Sequence, residues 1–299
     1  MQKTFLVTGA AGFVGSNFIR HLLYTYKGCK VIGLDYLADS KSMHNIYANK
    51  AHEFYIADVT DKHVLEKIFE IHRPNYVIHC AAPAWDSYDD DVLKTNVLGS
   101  HNVAVFSKKF DIEKLIYISD GKIYNSPNAR ATEQSPIKAI DILTTSVIGA
   151  ENVMTICNIP SIVFRTSSIF GPRSSCGENK ITYLYRNRLS SLSVCNAQPG
   201  DLLCVEDLSV AILLGIEKQL EGVFNLSVEN DFTDQELHQI IINQTEEKVE
   251  KKFTTTDKPV VKLDSKKFRD ATGWKPQRSL KAQIQHTIQW YTNNKWFSG

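Results

Sequence analysis

Three glycines near the N-terminus have the spacing of a phosphate-binding turn. They belong to the segment Val7-Thr8-Gly9-Ala10-Ala11-Gly12-Phe13-Val14-Gly15, which follows an apolar run and precedes an amphipathic stretch. In such a turn Gly9 permits a tight bend, Gly12 lets the backbone approach a pyrophosphate, and Gly15 lets a helix pack closely on a strand. Phe13 and Val14 then present backbone N–H groups at the positive end of that helix. The pattern predicts a dinucleotide site.

Two acidic residues follow at positions that suit the adenosine half of a dinucleotide. Asp35 ends the second predicted strand, where its carboxylate can accept hydrogen bonds from both ribose hydroxyls. The same negative charge repels a 2′-phosphate, so the predicted cofactor is NAD rather than NADP. Asp58 and Val59 follow the third strand and are predicted to lie at the adenine edge. The alternative is that the glycines are structural residues of an ordinary α/β domain.

Alternating short apolar runs and longer amphipathic stretches indicate the elements that position these residues. This rhythm is typical of βαβ units and predicts an α/β fold with a doubly wound parallel sheet. Six strands are predicted, at Thr4–Thr8, Lys30–Asp35, Glu53–Asp58, Tyr76–Ala81, Lys114–Ser119 and Ser161–Arg165. Helices are predicted between them at Val14–Tyr24, Asp61–Ile71, Val92–Phe110 and Leu143–Cys157.

The rhythm changes after Gly171-Pro172, which predicts a smaller second lobe. We expect a Rossmann-like NAD-binding domain over residues 1–170, with residues 198–226 returning to it. A substrate-binding α/β lobe is expected over residues 171–299. In this later part the predicted strands are Leu202–Val205 and Gly222–Leu226, and the predicted helices are Asp207–Lys218, Thr233–Asn243 and Leu280–Asn293.

The composition argues against several classes of function. The 299 residues include 34 Lys and Arg against 33 Asp and Glu, so the chain has no basic footprint for nucleic acid. Its apolar runs are far shorter than the roughly 20 residues that span a bilayer. The start shows no signal-peptide pattern, so we expect no membrane association and a cytoplasmic location. The six cysteines form no Cys-x-x-Cys pair, which disfavours zinc and a disulfide framework.

Further motifs give the chain a resemblance to a known family. Besides the glycine turn they are Val77-Ile78-His79-Cys80-Ala81-Ala82, Thr95-Asn96-Val97-Leu98-Gly99, Ile123-Tyr124, Phe170-Gly171-Pro172-Arg173, Val205-Glu206-Asp207 and Gly273-Trp274-Lys275-Pro276. In this order they resemble the extended short-chain dehydrogenase/reductases, specifically the nucleotide-sugar epimerase and 4,6-dehydratase family. The resemblance implies that Ala81, Ala82 and Asn96 complete an NAD site. It also implies a nucleotide-sugar ligand and a homodimer that pairs through the helices Val92–Phe110 and Leu143–Cys157.

The catalytic positions depart from the pattern of that family. Its members oxidise the sugar with a Tyr as general base, a Lys four residues later and a Ser or Thr at the reacting hydroxyl. The motif match places Leu143 and Val147 at the Tyr and Lys positions, and Asp120 at the Ser/Thr position. The Asp-Glu pair of the dehydratases falls on Gly121 and Lys122, so elimination by the family's route lacks an obvious proton donor.

The diphosphate contact of the family is also altered. An Arg that binds the nucleotide diphosphate in many members falls on Gly200. Arg173, Arg186 and Arg188 are candidates to replace it, and the alternative for each is a solvated surface residue.

Replacement acid/base groups are sought near the position that faces substrate in the family. We predict Asp120, Lys122 and Tyr124 as catalytic residues, with Asp86 and Cys80 as further candidates. Asp120 is the first choice, because a carboxylate in a dry cleft can have a raised pKa and act as a base. The alternative for Lys122 is a simple salt bridge with Asp120.

Two other polar features have structural interpretations. His79, at the end of a buried strand, is interpreted as a hydrogen-bonded core residue. The acidic loop with Asp86, Asp89, Asp90 and Asp91 can bind a divalent cation only if the backbone wraps around it. The favoured interpretation is a solvated loop with one aspartate capping the helix at Val92, so no metal site is predicted. Trp85 in this loop either stacks on a ligand or fills a hydrophobic gap.

Two functions are compatible with these residues. The first is an enzyme that acts on a nucleotide-activated sugar through NAD, with Asp120, Lys122 and Tyr124 as its catalytic groups. The second is a catalytically silent protein that binds NAD or a nucleotide sugar and serves as a regulatory or partner subunit.

Overall fold

Seven parallel strands form the main sheet of the computed structural model, which describes residues 2–37, 44–45, 51–83, 88–124, 129–174, 179–186, 192–196, 200–245, 252–256 and 260–294. The described strands are β1 (Thr4–Thr8), β2 (Lys30–Asp35), β3 (Glu53–Ile56), β4 (Tyr76–His79), β5 (Lys114–Asp120), β6 (Arg130–Ala131), β7 (Ser161–Thr166), β8 (Ser168–Phe170), β9 (Leu192–Asn196), β10 (Leu202–Cys204), β11 (Gly222–Leu226), β12 (Lys252–Thr256) and β13 (Lys262–Leu263). The main sheet has the order β11-β7-β5-β4-β1-β2-β3. This confirms the predicted doubly wound parallel sheet, whose order reverses between β1 and β4.

Helices connect these strands and cover the sheet. The described α-helices are α1 (Phe13–Thr25), α2 (Lys62–His72), α3 (Asp89–Leu93), α4 (Ser100–Lys109), α5 (Ile142–Cys157), α6 (Lys180–Arg186), α7 (Val205–Glu217), α8 (Asp234–Thr245), α9 (Lys266–Thr272) and α10 (Leu280–Asn293). A π-helical segment, Lys94–Gly99, joins α3 to α4. Among the described residues, no helix combines the length and the apolar character that crossing a membrane requires.

Apolar layers cover both faces of the main sheet. Phe5 and Val7 of β1 are buried in one layer together with residues of α1 and α7, while Leu6 is buried in the other with residues of α2, α4 and α5. This alternation follows from the two-residue period of a strand. Burial on both faces explains why the strands are continuous apolar runs in the sequence.

A third core lies beside the carboxyl edge of the sheet. It joins apolar side chains of α6, α8 and α10 to Phe170 of β8 and Leu202 of β10. β11 pairs with β7 in the main sheet, whereas β10 pairs with β8 in a separate two-stranded sheet. The division of the chain into two domains remains a prediction.

Most differences from the predicted elements are at strand ends and short strands. β3 ends at Ile56 and β4 at His79, two residues earlier than predicted. Ala57 N still donates to Asp35 O, and Cys80 N still donates to Thr8 O. After these hydrogen bonds each segment stops pairing with the neighbouring strand. The helix predicted over Val92–Phe110 begins at Asp89 and contains the π-helical segment. Several short elements of two to seven residues were not predicted, because such short segments show little periodicity: β6, β8, β9, β12, β13, α6 and α9.

Candidate functional site

A cavity of about 700 Å³ opens at the carboxyl ends of the strands, where the strand order reverses. It is lined by ten of the eleven predicted cofactor residues, namely Gly9, Gly12, Phe13, Val14, Asp35, Asp58, Val59, Ala81, Ala82 and Asn96. Asp120, Lys122, Leu143 and Val147 line the same cavity. The structure therefore brings the glycine turn together with the positions that the resemblance marks as catalytic.

The glycine turn is shaped by three close backbone approaches. Gly9 has a φ of +66°, and a Cβ there would lie 2.6 Å from Cys80 O. Gly15 packs beneath the turn and does not line the cavity. It packs so closely that a Cβ on Gly15 would lie 2.2 Å from Gly9 O. Gly12 N donates to Gly9 O at 3.1 Å and closes the turn. Larger residues at Gly9 or Gly15 would displace backbone.

The start of α1 fits a phosphate group. Its N-cap is Gly12, which supplies no side-chain hydrogen bond, and its first turn contains no acidic residue. The first N–H groups of a helix have no partner inside the helix, and the dipole makes this end positive. Asn45 supports the turn from the side by donating to Ala11 O at 2.8 Å, a contact that no sequence pattern predicts.

Asp35 ties the turn to the second strand. Its Oδ2 accepts from Ala11 N and its Oδ1 from Leu37 N, both at 2.9 Å. A carboxylate oxygen can accept more than one hydrogen bond, so Asp35 can accept from ribose hydroxyls while it holds the turn. Asp58 forms a local turn in which its Oδ1 accepts from Thr60 N at 2.8 Å. Both carboxylates line the cavity, so the predicted NAD site passes this test of shape and charge.

Asn96 joins two elements at the middle of the cavity. It lies in the π-helical segment, and its Nδ2 donates to Ser146 Oγ at 2.8 Å. Ser146 Oγ in turn donates to Leu143 O at 2.7 Å. π-Helical turns are frequent at functional sites. Here the extra residue lets Thr95 and Asn96 of the same segment both line the cavity.

Asp120 and Lys122 are adjacent in the cavity wall and form a pair. Asp120 Oδ1 accepts from Lys122 N at 2.8 Å, and Lys122 Nζ lies 3.7 Å from Asp120 Oδ2. Their side chains are 38% and 64% exposed, so water screens this pair and it contributes little stability. The geometry is compatible with the alternative for Lys122, a salt bridge with Asp120, and leaves the carboxylate accessible to a ligand.

Tyr124 does not line the cavity. Its hydroxyl donates to Asn225 Oδ1 at 2.7 Å and accepts from Arg165 Nη1 at 2.9 Å. Burial is the main cause that raises the pKa of this phenol. The ring is 3% exposed and packs with Ala131 and Leu263. The prediction of Tyr124 as a catalytic residue is therefore corrected, because its hydroxyl belongs to a buried structural network.

That network centres on a buried ion pair. Arg165 Nε lies 3.0 Å from Glu151 Oε1, and its Nη2 lies 2.5 Å from Glu151 Oε2. Ser119 Oγ also donates to Glu151 Oε1, at 2.5 Å. Paired and hydrogen-bonded charges of this kind are tolerated in a core. The network fixes the ends of β5 and β7 and the middle of α5 beneath the cavity.

Leu143 and Val147, which the resemblance matches to the Tyr and Lys positions of the family, form an apolar wall. Leu143 and Val147 are separated by four residues on α5, and both line the cavity. Leu143 is 38% exposed, so this part of the cavity is open rather than filled. Neither side chain can exchange a proton.

The two other candidates near β4 are unsuited to acid/base work. His79 is fully buried, with Nδ1 2.7 Å from Thr8 Oγ1 and Nε2 3.0 Å from Ser100 Oγ. This confirms the core interpretation, and burial lowers the pKa of His79 to about 4. Cys80 lines the cavity, but burial raises the pKa of its thiol to about 12.

The acidic loop is only partly within the described residues, because Trp85 and Asp86 lie outside them. Asp89, Asp90 and Asp91 form the first turn of α3. The predicted aspartate cap at a helix starting at Val92 is wrong, since the helix starts earlier and Tyr88 holds the N-cap position without a side-chain bond. Carboxylates in the first turn of a helix interact favourably with the positive end of the helix dipole. Within the described part of the chain, no group of three or more His, Cys, Asp or Glu residues has metal-binding geometry.

Two cations line the outer part of the cavity. Arg173 lies beside Asn17, with its Nη1 3.4 Å from Asn17 Oδ1, and its guanidinium sits over the Trp290 ring. Lys180 Nζ is 2.6 Å from Asp234 Oδ1 and would lie 3.9 Å from a Cβ placed on Gly200. The sequence had no signal for Lys180, which only the fold brings to Gly200. The Arg186 side chain and Arg188 lie outside the described residues.

Comparison with known proteins identifies the group to which this site belongs. Residues 5–227 match the NAD dependent epimerase/dehydratase family. The chain belongs to this family. A dTDP-glucose 4,6-dehydratase of Neisseria gonorrhoeae is 26% identical over an alignment of 340 positions, which covers 98% of this chain and 97% of the relative.

Solved structures of family members superpose on the whole chain. The enzyme WbmG of Bordetella bronchiseptica in complex with NAD has a TM-score of 0.87 at 25% identity and covers 100% of this chain and 96% of its own. The UDP-glucose 4-epimerase of Thermotoga maritima with UDP-glucose has a TM-score of 0.85 at 26% identity, covering 98% and 99%.

Proposed function

We propose that the chain binds NAD and a nucleotide-activated sugar together and uses Asp120 as a general base on the sugar. The observation that carries this proposal is the single cavity of about 700 Å³ that contains the glycine turn, Asp35, Asp58 and Asp120. Its size is in the range of small-ligand and cofactor sites.

Several residues would hold the dinucleotide. The turn from Gly9 to Gly12 and the N-terminus of α1 bind the pyrophosphate, and Asp35 accepts from the adenosine ribose. Ala81, Ala82 and Asn96 lie along the other half. Bound NAD supplies a hydride acceptor for a carbon of the sugar. The NAD in the WbmG structure supports this assignment.

A nucleotide sugar fits the charges at the outer end of the cavity. Arg173 and Lys180 both line this region, and cations of this kind bind a diphosphate. The resemblance expects an arginine at position 200, where this chain has a glycine. Lys180 of α6 lies beside Gly200, so its ammonium group takes the place of that guanidinium. The UDP-glucose in the Thermotoga maritima epimerase structure supports this ligand class.

We assign the acid/base chemistry to Asp120, the last residue of β5, and to Lys122 beyond it. Asp120 can accept a proton from a sugar hydroxyl, and Lys122 beside it can donate a hydrogen bond to the sugar. Elimination, the reaction of the dehydratases, has no comparable acid/base group at the position where the resemblance expects one. At Gly121, where dehydratases carry the Asp, a Cβ would lie 2.8 Å from Leu263 Cδ1 and 3.0 Å from Thr166 O. We therefore favour oxidation or epimerisation over dehydration.

A second candidate is a catalytically silent binding protein. The observation that favours it is the open apolar wall of Leu143 and Val147, which offers no proton acceptor at the place where the family has one. Such a chain would bind the same ligands and act as a regulatory or partner subunit.

Two experiments separate these functions. Mass spectrometry of ligand released by denaturation, followed by thermal-shift scans with NAD, NADP and nucleotide sugars, tests binding. No bound or stabilising nucleotide would contradict both candidates. With a stabilising pair found, turnover is measured for wild type, Asp120→Asn and the control Asp90→Asn, whose carboxylate is exposed on α3. Loss of turnover in Asp120→Asn alone supports the base, whereas absence of wild-type turnover supports the silent protein.

The proposed assembly is a homodimer. Leu98, beside α4, and Ile156 of α5 are 47% and 79% exposed, and α4 and α5 pack against each other in the monomer. These outward apolar residues suit pairing of the two helices with a second copy. The cytoplasmic location remains a prediction from the sequence.

A further inference from the structure

One buried hydroxyl in the cavity wall has no role in the chemistry above. Ser167 follows β7 directly, lines the cavity and is 8% exposed. Its backbone is fixed, because Ser167 N donates to Leu226 O at 3.1 Å. Its Oγ is shielded from water and has no hydrogen-bond partner among the described residues.

An unpaired buried hydroxyl costs free energy and calls for an explanation. Neighbouring hydroxyls already have partners, since Thr166 Oγ1 donates to Ser119 O and Ser119 Oγ donates to Glu151. The Ser167 side chain has one torsion with three staggered positions. A rotation can thus turn its hydroxyl toward a group that enters the cavity, and pairing with that group removes the cost.

The strand order indicates which ligand Ser167 meets. β4 and β5 separate β7 from β1 and its glycine turn, a distance of three strand spacings or about 14 Å. Asp35 lies on the opposite side of β1, so the adenosine half of the dinucleotide extends away from β7. Asp120 is directly opposite Thr166 in the β5–β7 pairing. Ser167 is therefore at the end of the cavity where the sugar is proposed to react.

We propose that Ser167 is a positioning residue that forms a hydrogen bond with a hydroxyl of the sugar. This inference rests on the proposed function and deepens it by assigning recognition of the sugar itself. A serine hydroxyl both donates and accepts, which matches an uncharged sugar hydroxyl. The cations Arg173 and Lys180 match the diphosphate better than Ser167 does.

Binding calorimetry with four nucleotides in the presence of NAD tests the proposal. UDP-glucose is compared with UDP, and dTDP-glucose with dTDP, for wild type and Ser167→Ala. We expect Ser167→Ala to weaken binding of the preferred sugar nucleotide about three- to tenfold, as loss of one hydrogen bond predicts. The affinities for the matching nucleoside diphosphate and for NAD should not change.

Ser107→Ala is the matched control. Ser107 is also fully buried with an unpartnered Oγ, but it lies on α4 and outside the cavity lining. It should leave every affinity unchanged. Equal losses for the sugar nucleotide and its diphosphate, a loss for NAD, or no loss in Ser167→Ala would each overturn the role in sugar recognition. A wild type that binds none of the nucleotides would instead overturn the proposed function, and the inference with it.

Discussion

At the scale of single residues, Asp35 should determine which dinucleotide binds. Its carboxylate accepts from Ala11 N and Leu37 N and faces the cavity. Asp35→Asn removes the charge that repels a 2′-phosphate and places an amide donor against one of those N–H groups. We expect the preference for NAD over NADP to fall about tenfold, equivalent to about 1.4 kcal/mol. Calorimetric titration with both dinucleotides measures this.

Glu53→Gln is the control for Asp35→Asn, because Glu53 lies on the edge strand β3 and pairs with Lys30 outside the cavity. It should bind both dinucleotides as wild type does. An unchanged NAD preference in Asp35→Asn would exclude the proposed discrimination by charge.

His79 should make stability depend on pH. Burial lowers its folded pKa from 6.5 to about 4, so between these values the unfolded chain binds more protons than the folded one. Stability is then lost as the pH falls through this window. The linkage relation gives a loss of about 2 kcal/mol between pH 7 and pH 5 from this residue. Urea unfolding of wild type and His79→Asn measures it as the difference in slope against pH.

His63→Asn is the matched control for that experiment, since His63 is exposed on α2. It should keep the wild-type pH profile. If His79→Asn keeps it too, the buried imidazole does not have the lowered pKa.

At the scale of elements, a methyl group added at Gly15 should disrupt both the glycine turn and the packing of α1 against it. The added Cβ would lie 2.2 Å from Gly9 O, which is backbone and cannot rotate away. We expect Gly15→Ala to destabilise the fold by about 3 kcal/mol and to abolish NAD binding. Gly28→Ala is the control, because Gly28 has a φ of +89° but open space around it. That variant should lose only about 1 kcal/mol and bind NAD normally.

Urea unfolding and NAD calorimetry on the two glycine variants give the comparison. Equal losses of stability would show that conformational freedom, and not the close packing of α1 on the turn, is what Gly15 provides.

The contact between β13 and the short 3₁₀ turn Gly121–Ile123 should make any side chain at Gly121 destabilising. A Cβ on Gly121 would lie 2.8 Å from Leu263 Cδ1, and Leu263 is fully buried. Gly121→Ala should therefore cost about 2 kcal/mol in wild type and less in a Leu263→Ala background. A double-mutant cycle by urea unfolding measures this difference. Equal costs in both backgrounds would remove the steric explanation.

At the scale of the whole molecule, the parallel sheet and the dinucleotide half of the site are predictable from the sequence. These residues can be identified from the local sequence pattern alone. Gly9, Gly12 and Asp35 lie where strands end, and their predicted roles do not depend on contacts with residues distant in sequence. Tyr124 and Lys180 show the limit. Tyr124 is only four residues from Asp120 in sequence, but its hydroxyl donates to Asn225, 101 residues away. Lys180 gains its place only because α6 lies beside Gly200.

The assembly gives the last prediction at this scale. Leu98 and Ile156 are exposed apolar residues on the helices that the family resemblance assigns to pairing. Burying them against a second copy favours association by about 25 cal/mol for each Å² of apolar surface. A glutamate at either position would place a charge in that interface, so Leu98→Glu and Ile156→Glu should be monomers at micromolar concentration. Sedimentation equilibrium measures the mass. Ile71→Glu is the control, because Ile71 is 66% exposed on α2 and outside the proposed interface; it should stay dimeric, whereas a monomeric wild type would refute the assembly.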